Sequence, residues 1–296
     1  MSASAEIAVE ASPQLGVQHG TTRSEKGWMV TKHIILFIAI LSVWEIASRR
    51  EWIDSLIYPA PSGIVQQIWF IYFEAGTVWV HLGFTFAEAL SGLFIGSMIG
   101  IALATAAALS LRFREYLKPY IIVVEATPRI AVGPLFIAWL GFGFSSKVAL
   151  ASLVCFFGPF VNTLTGLLNI DQEAEEMFRS MSATKWQTFW GLRVPNSATI
   201  LMAGLKLGCA SAFGGALVAE FISANVGMGV LMARYTYILN MNGAFATLLS
   251  ITLFAFLLFK FADFVDYHIV YWRSDKLMQG KSIKRKAAFL NGLEGQ

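Results

Sequence analysis

Six stretches of the chain are apolar over about the length of a bilayer crossing. They run over residues 30–48, 83–109, 119–140, 147–168, 197–223 and 244–266. In lipid a lone segment can satisfy its backbone hydrogen bonds only internally, so each is predicted to be a helix. The fold class that follows is an all-α membrane protein with six transmembrane helices, as one domain over 29–272. A polar N-terminal tail (1–28) is expected to be disordered and a basic tail (273–296) to follow the last span.

Two spans carry small residues at four-residue steps: Gly92, Gly96 and Gly100 in the second, and Gly204, Gly208, Ala212 and Ala216 in the fifth. Such ladders let helices approach closely, which predicts that these spans lie centrally in a bundle or at a dimer seam. The plainer alternative is that Gly and Ala are simply common in membrane helices.

The polar connections set orientation. With the N-terminus inside, the inner segments hold Arg23, Lys26, Lys32, Arg112, Arg114, Lys118, Arg179, Lys185, Arg193, Arg273, Lys276, Lys281, Lys284, Arg285 and Lys286, against Arg49, Arg50, Lys147 and Arg234 outside. Retention of basic residues in cytoplasmic loops then places both termini in the cytoplasm. The first apolar run contains Trp44 and Glu45 and precedes further spans, so it reads poorly as a cleaved signal peptide. The loop WIDSLIYPAPSGIVQQIWFIYFEAGTVWVH, between spans one and two, is amphipathic and aromatic and is expected to lie along the interface.

Composition agrees: the chain of 296 residues is 56% hydrophobic and 14% charged, with a mean hydropathy of +0.61. The net charge of +3 lends no support to nucleic-acid binding. Cys155 and Cys209 lie within apolar runs, and His19, His33, His81 and His268 are scattered, so neither a disulfide framework nor a metal site is indicated. The tail DKLMQGKS (275–282) nearly spells a phosphate-binding loop, but it lacks the first glycine and follows a membrane helix rather than a strand. Lys281 to Lys286 read better as a basic segment facing anionic lipid.

Within the spans, Pro128 and Pro134 are expected to kink or break the third helix, which is tolerated where protein or a water-filled cavity covers the freed backbone. Glu125 and Arg129, four apart, form either a self-neutralised pair or, in the case of Arg129, part of the lining of an anion's path. Glu88 is expected to pair with Lys206 or Arg129, or to face the headgroups. Lys260 and Asp263 are spaced for a local pair.

The connection between spans four and five, which includes EMFRSMSATKWQTFWGLRVP (176–195), is polar and amphipathic. Asp171 is placed to cap a helix through Gln172, Glu173, Glu175 and Glu176, with acidic side chains where they suit the helix dipole. Met177, Met181, Thr184 and Thr188 fall on one side at helical spacing. The segment reads as a docking knob held in the cytoplasm.

This segment resembles the cytoplasmic loop of the transmembrane permease subunits of ABC importers. Their pattern is Glu-Ala-Ala, a Gly six residues after the Glu, and an apolar pair before a Pro nineteen after it. Glu176, Ser182, Leu192, Val194 and Pro195 occupy those places. Met177 and Phe178 depart from the two Ala, and Ser182 from the Gly. The stretches IYPAPSGI, TPRIAVGPLFIAWLGFGFSSKV and AEFISANVGMGVL extend the resemblance over residues 30–270. It is greatest to the branch importing nitrate, sulfonates such as taurine, bicarbonate, or pyrimidine and riboflavin-type vitamin precursors.

The resemblance implies a permease of the type I importer fold, with a coupling helix (Glu173, Glu176, Met177, Ser182, Ala183, Pro195) that docks on a cytoplasmic ATPase. It implies a translocation path or gate at Glu125, Pro128, Arg129, Pro134, Glu220 and Gly227, although the Glu220–Gly229 region also reads as a plain loop. Many members are expected to carry a basic residue where Glu88 stands; a pore-lining Glu88 would favour a heterocyclic substrate over an inorganic anion. The implied partners are a second permease copy as a homodimer, an ATPase dimer, an extracytoplasmic solute-binding protein and the lipid bilayer of a bacterial inner membrane. No cofactor is implied on this chain; ATP and Mg belong to the ATPase, and this chain is no enzyme. The rival readings are an ion-gradient-driven secondary transporter or channel, against which the nearly uncharged spans four and five argue, and a purely structural subunit.

Overall fold

The computed structural model describes residues 23–223 and 225–270. The near phosphate-loop motif, Lys281 to Lys286 and most of the two tails lie outside the described residues. By their internal contacts, residues 1–61 and 62–296 form two units. The first holds α1 (Arg23–Arg49), after which the chain turns so that Ser48 donates to the carbonyl of Tyr58 at 3.0 Å.

Every regular element among the described residues of the second unit is helical. Helix α2 (Pro61–Trp69) and a π-helical turn (Phe70–Glu74) form the aromatic connection, with Trp69 and Phe73 exposed. Then come α3 (Thr77–Leu109), α4 (Leu111–Ala126), a 3-10 turn (Arg129–Val132), α5 (Gly133–Leu140) and α6 (Phe144–Leu168). Two short helices, α7 (Gln172–Ser180) and α8 (Lys185–Thr188), lead through a π-helical turn (Phe189–Arg193) into α9 (Val194–Ser223). Helices α10 (Met228–Tyr237) and α11 (Met241–Ile269) close the described chain.

Five helical segments are long and apolar enough to cross a membrane: Thr31–Arg49, Thr77–Leu109, Phe144–Leu168, Lys185–Ile222 and Met241–Ile269. The third span, expected over 119–140 with a kink or break at its prolines, is a broken pair: Leu111–Ala126 and Arg129–Leu140 meet at 86°. The cause is local. Pro128 disfavours helical backbone at Thr127, whose ψ is 129°, and Pro128 is itself extended at ψ 91°. Pro134 then sits in the first turn of α5, where a missing N–H costs nothing.

Packing centres on α6, which takes α3 and α9 against it. Both small-residue ladders face this helix, so the spans that carry them flank the central helix of the bundle. A methyl group added at Gly96 would fall 2.5 Å from the carbonyl oxygen of Ser152, and one at Gly204 would fall 2.7 Å from that of Gly158. Ala212 and Ala216 are buried in the same seam. Hydroxyls that enter the bundle return their hydrogen bonds to the preceding turn, as Ser152 does to Val148 at 2.7 Å and Thr247 to Gly243 at 2.8 Å. Ion pairs tie α9 to α11: Lys206 Nζ lies 2.6 Å from Asp263 Oδ1 and 2.6 Å from Asp266 Oδ2. The expected local pair of Lys260 and Asp263 is present at 4.0 Å.

Because the obstructing atom at Gly96 is backbone, Gly96→Ala must push α3 off α6. The expected loss is about 1–3 kcal/mol, read as a lowered Tm in detergent, whereas alanine at Gly83, which has open space around its Cβ position, leaves Tm unchanged.

Candidate functional site

Three places collect the sequence candidates. The first is the connection between α6 and α9. Asp171 accepts from Glu173 N at 3.1 Å, capping α7 as expected. The helix does not continue through Thr188, however. It ends at Ser180, and Ser182 adopts φ 55°, in the left-handed region. Thr184 then starts α8 with a reciprocal cap, its hydroxyl accepting from Gln187 N at 3.3 Å while Gln187 Oε1 accepts from Thr184 N at 2.8 Å. The helical spacing across Met177, Met181, Thr184 and Thr188 therefore belongs to two helices at a turn, because Thr and Gln three apart nucleate a new start that competes with propagation of the old helix.

Glu173, Glu176, Met177 and Ser182 are exposed, Ala183 is half-buried, and Pro195 is exposed in the first turn of α9. On the other side of α7, Glu175 is held at 3.2 Å by both Arg179 and Arg193. Phe178 packs beside Gly191. These contacts pin α7 to the start of the fifth span. Sequence reasoning missed Arg193; nothing in the spacing of the two residues, eighteen apart, marks them as a pair.

The second place is the break between α4 and α5. Glu125, Pro128 and Pro134 are exposed, and Arg129 is half-buried. No ion pair joins Glu125 and Arg129 among the described residues, because the i,i+4 geometry needs a continuous helix and the helix ends between them. Arg129 instead donates to the carbonyl of Val154 at 3.4 Å and lies 4.8 Å over the ring of Phe157. The structure thus leaves its positive charge without a carboxylate among the described residues.

The third place is the end of the bundle opposite the α6–α9 connection. Glu220, at the end of α9, is buried and works as a cap for α10: its Oε2 accepts from Gly229 N at 2.7 Å and its Oε1 from the Thr85 hydroxyl at 2.5 Å. Thr85 in turn accepts from Met228 N at 2.8 Å, and His81 Nδ1 lies 3.0 Å from Gly227 N. Gly227 has φ 137°, and any side chain there would land on the Glu220 carboxylate. Glu220 and Gly227 are therefore parts of one structural joint between α9, α3 and α10. Thr85 and His81, which complete it, escape a sequence reading because each looks like an isolated polar residue in a span.

Beside this joint lies Glu88, fully buried, with Lys147 Nζ at 3.1 Å. Neither of the partners expected from sequence is used: Lys206 is engaged by Asp263 and Asp266, and Arg129 by Val154 and Phe157. Lys147 reads in sequence as a charge in an outer connection. In the structure it is the first-turn residue of α6 that the α3–α6 packing brings over Glu88. By geometry neither oxygen of Glu88 has a hydrogen-bond partner among the described residues, so the Lys147 ion pair is what compensates for burying this charge; the buried Glu220 carboxyl nearby is no counter-charge.

Comparison with known proteins places the chain among transport proteins. The model of the binding-protein-dependent transport system inner membrane component family matches residues 92–271. The formylaminopyrimidine transport permease protein ThiX of Halalkalibacterium halodurans is 29% identical over 249 residues, which cover 84% of this chain and 98% of that protein. The SsuC protein of Escherichia coli, named for transport of aliphatic sulfonates, is 32% identical over 226 residues, covering 76% of this chain and 84% of that one. Among solved structures, an inward-facing form of the MetNI methionine ABC transporter has the same fold, with a TM-score of 0.57 at 16% identity, over 68% of this chain and 97% of that one.

Removing one partner of a buried ion pair leaves an uncompensated charge, so Lys147→Ala is expected to cost about 3–5 kcal/mol. The joint replacement of Glu88 and Lys147 by Met should recover most of it, as read by Tm in detergent. At Ser182, a left-handed backbone costs an ordinary residue about 1–2 kcal/mol. Ser182→Gly should hold or raise Tm and Ser182→Val should lower it.

Proposed function

The chain belongs to the family of binding-protein-dependent transport system inner membrane components, and from that membership we propose how it works as an importer. It is a multi-pass ABC importer permease, a transport subunit and not itself an enzyme. The reading we infer is alternating access driven by a separate ATPase through the α6–α9 connection. ATP and Mg are held by that ATPase and no cofactor by this chain.

The observation that carries this reading is α7. It is a short helix with Glu173, Glu176 and Met177 exposed, anchored through Glu175 and Arg193 to the start of a membrane span. A contact that favours one conformation of the bundle must act on an element rigidly joined to it, since a partner shifts an equilibrium only by its difference in affinity for the two states. Closure of an ATPase dimer would draw two such helices together, which favours a pair of permeases as a homodimer. Orientation in a bacterial inner membrane follows from the basic residues: α7 and both termini in the cytoplasm, the Glu220 and Gly227 joint on the side where a solute-binding protein delivers substrate.

The solute path follows the broken third span. Arg129, with a guanidinium not matched by a carboxylate among the described residues, and the exposed Glu125, Pro128 and Pro134 would line it between the two copies. This favours a small organic anion or an acceptor-rich heterocycle, the classes named for the sulfonate and formylaminopyrimidine relatives. Glu88, buried and paired, gives no information about substrate.

Two measurements test the reading. Mass spectrometry of proteins that co-purify with the tagged chain in mild detergent should find a stoichiometric nucleotide-binding subunit; an isolated oligomer active in ion-gradient uptake would refute it. Glu176→Lys should leave the protein inserted, with Tm unchanged, and abolish ATP-dependent uptake. Normal uptake in that variant removes α7 from the coupling role.

A further inference from the structure

A cleft of about 560 Å³ lies beneath α7, between it, the junction of α3 and α4, and the start of the fifth span. One wall is apolar, formed by Ala108, Leu109, Leu111 and Phe189; the other carries Arg179, Lys185 and Arg193, with Glu175 as the only acidic lining residue among the described residues. Three cations face one carboxylate, an excess of two positive charges. Arg193 is half-buried and uses a single N–H on Glu175 at 3.2 Å, although a guanidinium offers five donors in a fork suited to phosphate oxygens. We propose that this cleft binds the phosphate headgroup of an anionic phospholipid.

The amphipathy of the lining selects a lipid over a free anion. Leu109 ends α3, a membrane-spanning helix, and Leu111 begins α4, so the apolar wall continues the apolar surface of a span and the cations adjoin it in the same cleft. Trp186 and Trp190, both exposed and in edge contact at 5.8 Å, sit on the adjoining turns as interfacial aromatic anchors do. A free phosphate would use the basic wall and leave the apolar one uncovered; a glycerophospholipid covers both. On α7 the side chains assigned to the ATPase are Glu173, Glu176 and Met177, whereas the cleft uses Glu175 and Arg179; of the coupling candidates the half-buried Ala183 also lines the cleft. The cytoplasmic leaflet assignment rests on the orientation proposed above; the lipid site itself rests on the lining.

The test uses the full-length chain, purified with the subunits that accompany it and equilibrated in detergent with equal phosphatidylglycerol and phosphatidylcholine, then examined by native mass spectrometry. Phosphatidylglycerol should be retained over phosphatidylcholine, and millimolar inorganic phosphate should not displace it. Each basic side chain at a membrane surface contributes roughly fivefold to anionic-lipid affinity, so Arg179→Ala with Lys185→Ala should weaken retention about thirtyfold. Lys185→Arg, and Arg234→Ala at the opposite end of the bundle, should retain it. Equal retention by the double variant, displacement by inorganic phosphate, or loss of the ATPase with lipid retention unchanged would each overturn the proposal. The last of these would reassign the cleft to the ATPase while leaving the coupling role of α7 standing. In the unsubstituted protein, lipid retention with no co-purifying ATPase would instead refute the importer mechanism and spare the lipid site.

Discussion

The close approach of α6 to α3 and α9 is the contact on which the other features depend. Between apolar helices in lipid there is little hydrophobic drive to associate, so packing at van der Waals distance must supply most of it. Glycines at positions such as 96 and 204 let backbone meet backbone. The same approach decides electrostatics: only with α3 set against α6 does Lys147, in the first turn of α6, reach Glu88 at 3.1 Å. A looser seam would leave a carboxylate in a dry interior with no counter-charge.

The two ends of the bundle are built on different principles. At one end, side chains replace the backbone partners that helix termini lack: Glu220 and Thr85 accept the first N–H groups of α10, so the re-entry after α9 is locked to α3. At the other end, the helix carrying the exposed acidic and methionine side chains is fastened by exposed or half-buried ion pairs on Glu175. Such pairs contribute little stability; they fix a direction. One end is closed by buried hydrogen bonds and the other carries an exposed helix face, the asymmetry that the proposed coupling from one side of the membrane requires.

The buried pair of Glu88 and Lys147 is weak evidence of stabilisation, since desolvation offsets much of the attraction. It does specify register. A slide of α6 by one turn, about 5.4 Å, would separate Lys147 from Glu88 and leave both charges unpaired, so the pair penalises alternative packings that the small-residue ladders by themselves would allow.

What the sequence determined by itself was everything dictated by local physics. Apolar length set the helices, Pro128 set the break in the third, Asp171 set the start of α7, and the ladders set which faces pack. These follow from interactions within a few residues, where spacing is geometry. The motif around Glu176 and Pro195 located the loop through which the family membership could be read. Only the tertiary structure decided that Glu88 meets Lys147, that Lys206 meets Asp263 and Asp266, that Glu175 gathers Arg193, and that Glu220 caps α10 with Thr85. Those partners lie nine to 143 residues apart, and a charge in a membrane helix announces that it needs a partner without saying which. Ser182 shows the same limit at short range: a serine in place of the family's glycine reads as a tolerated small residue, and its left-handed backbone is visible only once α7 and α8 have been packed on either side of it.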